Sequence, residues 1–121
     1  MNNVAYLEVD DFDFDGIVKL KIPVPENLPV VVMVQASWCP HCVRAKPAFQ
    51  RFAQDFKEVV FCATIEVDGE KPGERALADR LNEIKPDFVG FPDYLLYVGG
   101  KRVAKEIKGR DVPSLVEFIQ I

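Results

Sequence analysis

The sequence predicts an α/β domain with a mixed central sheet, and three observations carry that prediction. Two apolar, β-branched runs, Val30–Val34 and Val59–Val67, are separated by a stretch of helical periodicity, a β-α-β order. Two later strand-like runs, Tyr94–Val98 and Arg102–Ile107, flank Gly99-Gly100, which supplies the positive φ of an antiparallel hairpin. The chain has 121 residues, 49% of them apolar, so it makes one globular domain able to bury a core without metal or disulfide staples.

Taken in order, Ala5–Val9 reads as a short strand. Ile17–Ile22 alternates with period two after Asp15-Gly16, so the N-terminal region is expected to form a hairpin. Pro23, Pro25 and Pro29 then break the chain before Val30–Val34, whose continuous β-branched character suits the centre of a sheet. Phe49, Phe52, Ala53 and Phe56 fall at i, i+3, i+4 and i+7 of a helix that begins near Cys39. Leu77, Leu81 and Ile84 mark a short helix after the turn residues Asp68-Gly69 and Pro72-Gly73. Asp111 is placed to cap a last helix with Val112, Leu115, Val116 and Ile119 inward. Residues 1–28 are expected to be an N-terminal extension packing on the main domain, 29–121.

Charge and hydropathy narrow the function. Fifteen Lys and Arg against 19 Asp and Glu leave a formal charge of −4, with the basic residues scattered, so neither a nucleic-acid nor an anionic-membrane partner is expected. The longest apolar stretch, Leu28–Val34, contains Pro29 and is far short of the roughly 18 residues that span a bilayer. The N-terminus has no secretory pattern and the C-terminus no retention or lipidation signal, so a cytoplasmic protein is expected.

Three cysteines are too few, and odd in number, for a secreted disulfide framework, so they are read for chemistry. Cys39 and Cys42 stand at C-x-x-C spacing at the strand-to-helix junction. A zinc site would need two more ligands, yet the remaining cysteine, Cys62, lies in a buried-type strand and the single histidine, His41, lies inside the motif. No metal and no cofactor are therefore expected. A static disulfide explains neither the reducing setting nor the position at a helix start.

A redox pair explains both. A helix starting at Cys39 aims its free N–H groups and positive dipole end at the first sulfur, which stabilises the thiolate and makes Cys39 the nucleophile. A free thiol is only about 3% ionised at pH 7, so this matters. Cys42, one turn further in, is the resolving thiol. Pro40 needs no N–H partner in the first turn, and His41 would add to the effect if its imidazole were cationic or donated to the sulfur.

Trp38-Cys39-Pro40-His41-Cys42 resembles the active site of the thioredoxin superfamily, whose members carry W-C-x-x-C at the start of a helix. The resemblance continues in Pro47, five residues after Cys42, in Val89-Gly90-Phe91-Pro92, similar to the family's cis-proline segment, and in Gly99-Gly100 and Gly109. It implies a three-layer thioredoxin-like fold with a mixed sheet flanked by helices. It also implies thiol–disulfide exchange with protein substrates, with Phe91 and Pro92 presenting backbone to an extended chain and Trp38 forming part of the docking surface.

Two departures qualify the likeness. The family's buried acid, six positions before the first cysteine, is replaced by Met33, so water or another acid such as Glu66 would have to handle the resolving thiol's proton. The Pro-His dipeptide is that of periplasmic disulfide oxidases rather than thioredoxin's Gly-Pro. If it stabilises the thiolate here, the couple becomes more oxidising, by about 30 mV per 1.4 kcal/mol. Those oxidases insert a large helical domain for which this chain has no room, and a glutaredoxin would turn toward a helix where Lys101–Ile107 reads as a strand.

Asp11-Phe12-Asp13-Phe14-Asp15-Gly16 begins like a calcium loop, but the twelfth position, which needs Glu, is Ile22. Phe12 and Phe14 are instead expected to point inward, and Cys62 to be an inert core thiol. The expected function is thus a monomeric protein disulfide oxidoreductase acting on disulfide-containing or dithiol proteins and recycled by a reductase or glutathione. Its reductase, oxidase or isomerase direction is left open. The competing expectation is a redox-inactive binding module of the same fold.

Overall fold

The computed structural model describes residues 1–25 and 27–120; Glu26, in the expected extension, and Ile121, at the end of the expected domain, lie outside the described residues. The strands are β1 (Ala5–Tyr6), β2 (Phe12–Asp13), β3 (Lys19–Leu20), β4 (Val30–Gln35), β5 (Phe61–Glu66), β6 (Asp93–Val98) and β7 (Lys101–Val103). The helices are α1 (Pro40–Asp55), α2 (Pro72–Ala78), α3 (Leu81–Ile84) and α4 (Val112–Phe118). The main sheet has the order β1-β5-β4-β6-β7, with β1, β5 and β4 parallel and β6 and β7 antiparallel to their neighbours. This is the expected mixed sheet.

The central strand β4 is buried at every residue, which is why its sequence does not alternate. Its two faces build two separate cores. Val31 and Met33 join Cys62, Tyr94 and Leu96 beneath Phe49 and Phe52 of α1 and Leu115 and Phe118 of α4. Val30, Val32 and Val34 join Ala63, Ile65, Leu95 and Tyr97 beneath Leu77 of α2 and Leu81 and Ile84 of α3. The result is helix, sheet and helix in three layers. Each buried Leu, Val or Phe is worth about 1.5–3 kcal/mol, so both faces contribute to stability.

Several elements differ from expectation. The N-terminal hairpin joins β2 to β3, with Phe12 opposite Leu20, whereas Ala5–Tyr6 leaves to pair in parallel with β5 at the sheet's edge. A single 3-10 turn, Val9–Asp11, makes the reversal possible, its start held by the Glu8 N–H donating to Asp11 Oδ2 at 2.8 Å. Phe12 is buried and Phe14 half-buried; Phe14 is capped by the Arg80 guanidinium 3.6 Å above its ring. The Leu77–Ile84 segment is two helices, α2 and α3. The strand expected over Arg102–Ile107 ends at Val103, because only Lys101, Arg102 and Val103 find partners on β6.

The cap and hairpin-turn expectations hold in detail. Asp111 caps α4 by accepting the Ser114 N–H at 3.0 Å. Gly99 and Gly100 both have positive φ, and at Gly100 a Cβ would meet the Leu20 carbonyl oxygen at 2.7 Å. That close approach seats the N-terminal hairpin on the β6–β7 turn, where the Leu20 N–H donates to the Gly100 carbonyl at 2.8 Å. No helix of the described residues is long and apolar enough to cross a membrane.

Candidate active site

The carboxyl end of β4 delivers the chain to the start of α1, and the cysteines sit at that junction. Cys39 is the N-cap residue and Pro40 occupies the first turn, where a missing N–H costs nothing. The Cys42 N–H donates to the Cys39 sulfur at 3.2 Å. On its other side, the Cys39 sulfur lies 3.9 Å from the Phe91 carbonyl oxygen, and the Phe91–Pro92 peptide bond is cis. Both sulfurs are free thiols. Helix α1 runs on through Pro47.

The two thiols are driven apart electrostatically. At Cys39 burial opposes ionisation, but the Cys42 thiol, the N–H groups of Cys42 and His41, and the Arg110 charge outweigh it and hold the thiol below its ordinary range. Cys42 is fully buried, and burial together with the hydrogen bond to Cys39 pushes it up to about 11. A nucleophile poised toward thiolate thus faces a partner kept protonated. Cys62, under the sheet, is pushed up to about 12 by burial alone, in keeping with an inert core thiol.

The His41 backbone N–H helps to hold the Cys39 thiol down, while the exposed His41 ring turns to Arg44, whose guanidinium lies 2.7 Å from Nδ1. Arginine only donates, so in this contact Nδ1 is the acceptor. Arg44 stands one helical turn on, at the i+3 spacing that brings side chains together on a helix.

Around the sulfur lies an apolar rim. Trp38 is 66% exposed and meets Phe91 edge-on, with ring centroids 5.7 Å apart; Phe88 supports Phe91 from 5.2 Å. Val89, next along this loop, is exposed. The loop before Trp38 is pinned by Asp68, whose carboxylate accepts the Ser37 hydroxyl and the Ser37 N–H, the latter at 2.9 Å. The Phe91–Pro92 loop is anchored by buried Lys85, which bonds Asp93 and Glu106 at 2.8 Å each. Asp68, Lys85 and Arg110 were not singled out from sequence, since their roles depend on which loops fold together.

Met33 is fully buried beneath this site, and the polar groups near it are arranged unusually. Thr64 Oγ1 donates to the Met33 carbonyl at 2.7 Å, and Gln35 Nε2 donates to Thr64 and to Glu66 at 3.2 and 3.3 Å. Glu66 lies close enough to Tyr6, at the sheet's edge, to help raise that phenol. No residue pattern singles out Tyr94, which stands opposite Met33 on β6. Among the described residues no group of three or more His, Cys, Asp and Glu is arranged to hold a metal.

The chain is similar to known proteins over most of its length. The thioredoxin family model matches residues 5–121. The chain is 40% identical over 128 residues to thioredoxin-like protein 453L of Invertebrate iridescent virus 6, covering 96% of this chain and 91% of that one. It is 29% identical over 91 residues to a thioredoxin of Geodia cydonium, covering 75% and 76% of the two chains. In structure it resembles spinach chloroplast thioredoxin f with a TM-score of 0.64 at 21% identity, over 97% of this chain and 90% of that one.

Proposed function

We propose that this chain, which belongs to the thioredoxin family, is a thiol–disulfide oxidoreductase that exchanges disulfides with protein substrates through Cys39 and Cys42. One observation carries the reading: the Cys39 sulfur caps α1, takes the Cys42 N–H at 3.2 Å, and lies beside the Phe91 carbonyl at the open rim. In the reducing direction the Cys39 thiolate attacks a substrate disulfide. A mixed disulfide forms, and the displaced substrate sulfur leaves as a thiolate and takes a proton. Cys42 then loses its proton and attacks the Cys39 sulfur, closing the Cys39–Cys42 disulfide and releasing the second substrate thiol. Two electrons pass to the substrate; run backward, the same steps donate a disulfide.

The partners this reading calls for are disulfide or dithiol proteins, bound in extended form along Phe91 and Pro92 against Trp38, and a reductase or glutathione that resets the pair. Stabilising the Cys39 thiolate favours the reduced form and makes the couple more oxidising than thioredoxin's, whose potential is about −270 mV. Support comes from the lowered Cys39 thiol.

Turnover tests the reading. The wild-type chain should catalyse reduction of insulin disulfides by dithiothreitol, and Cys39→Ser should abolish this while keeping the native circular dichroism spectrum. Activity undiminished in Cys39→Ser would overturn it. Equilibration of the wild-type pair against a glutathione buffer reads the potential.

A further inference from the structure

We propose that the Tyr94 hydroxyl is the buried polar partner of the resolving thiol, serving the step for which residue 33 supplies no carboxylate; the proposal rests on the oxidoreductase reading above. Tyr94 lies on β6, two residues after Pro92, and its side chain joins the core covered by α1. It stands opposite Met33 in the β4–β6 register, with both side chains buried. Its ring packs on Phe49 with centroids 5.9 Å apart, and Phe49 lies on the same buried stripe of α1 as Ala45 and Cys42.

The hydroxyl in this position is an anomaly. Among the described residues Tyr94 Oη has no hydrogen-bond partner, although a buried tyrosine usually finds one. Thr64, which faces the same core, is committed to the Met33 carbonyl and to Gln35, and Glu66 is engaged by Gln35 near the sheet's edge. The Tyr94 hydroxyl lies near enough to Arg110 and Asp93, and to Cys42 once that thiol ionises, to feel their charges, and burial keeps the phenol protonated.

A protonated, unengaged phenol suits the resolving step. Cys42 must give up its proton in apolar surroundings, attack the Cys39 sulfur of the mixed disulfide, form the new S–S bond and expel the substrate sulfur, which takes up a proton. As negative charge develops on Cys42, the Tyr94 O–H rotates about its C–O bond and turns its positive end toward that sulfur, with no existing hydrogen bond to break. Tyr94 neither gains nor loses a proton. It lowers the cost of the anion, and the first attack by Cys39, at the rim, does not involve it.

Tyr94→Phe tests this with Ellman's reagent, an aromatic disulfide that releases one coloured thiolate at the attack by Cys39 and a second at resolution by Cys42. The variant should release the first at the wild-type rate and the second at least about tenfold more slowly, with no loss of thermal stability. In a Cys39→Ser background, Tyr94→Phe should also move alkylation of Cys42 to higher pH. Equal second-phase rates, or an unmoved Cys42 profile, would overturn the proposal. If the wild-type chain itself releases no second thiolate, the oxidoreductase reading fails and the Tyr94 proposal falls with it; wild-type turnover with an unaffected variant removes only the latter.

Discussion

The Cys42 N–H points at the Cys39 sulfur from 3.2 Å, so the residue that carries the resolving thiol also supports the thiolate that opens the reaction. One turn of helix therefore supplies both members of the couple and the asymmetry between them.

That asymmetry predicts a pH order. Alkylation of Cys39 tracks its thiolate fraction, so the rate should rise with pH and inflect below the ordinary thiol range, while Cys42 titrates near 11. Cys62, near 12, should stay unlabelled in the native protein. The lowered Cys39 thiol also stabilises the reduced fold above the pKa of an unfolded cysteine, and this contribution is lost as pH falls through the folded value. Urea midpoints of the reduced protein against pH check the sign.

Trp38→Ala should separate docking from chemistry. The exposed indole touches Phe91 at the rim, so its loss should cost less than about 1 kcal/mol of stability. Mixed-disulfide formation with a protein disulfide should slow several-fold, while the rate with oxidised glutathione stays near wild type.

Lys85→Met should damage the Phe91–Pro92 loop from behind. Breaking the pair strands Asp93, whose side chain is 17% exposed, and should cost about 3 kcal/mol in a denaturant titration. Burial alone would lower Lys85, but Asp93 and Glu106 hold it above the usual lysine range. Its contribution should persist through neutral pH and disappear only as pH rises past that value.

Met33→Asp should place a carboxylate in a fully buried position. With its folded pKa raised by desolvation, the variant should be least destabilised in acid and lose stability as pH rises above about 4. Resolution by Cys42 should become faster at neutral pH, read as the second phase with Ellman's reagent.

The parts of the fold legible in the sequence are those where one pattern decides the outcome. Val30–Val34 has no polar alternation and is the central strand; Asp111 caps α4 through the N–H three residues ahead; Gly99-Gly100 turns the hairpin. The N-terminus misleads because its strands are two residues long, too short for period two to choose a partner. Ala5–Tyr6 pairs with a strand nearly 60 residues away rather than with its neighbour. At the site, Cys39, Cys42, Trp38, Phe91 and Pro92 come together as their motifs suggest. The orientation of His41 and the isolation of the Tyr94 hydroxyl depend on packing partners, Arg44 and the α1 face, that single-residue identity does not specify.

The most direct test is trapping. Cys42→Ser, mixed with a disulfide-bonded protein substrate such as insulin, should accumulate a covalent adduct whose mass, after digestion, places the bond at Cys39, and dithiothreitol should release it. Absence of any adduct, or an adduct through Cys62, would contradict the assignment of Cys39 as the nucleophile of this protein.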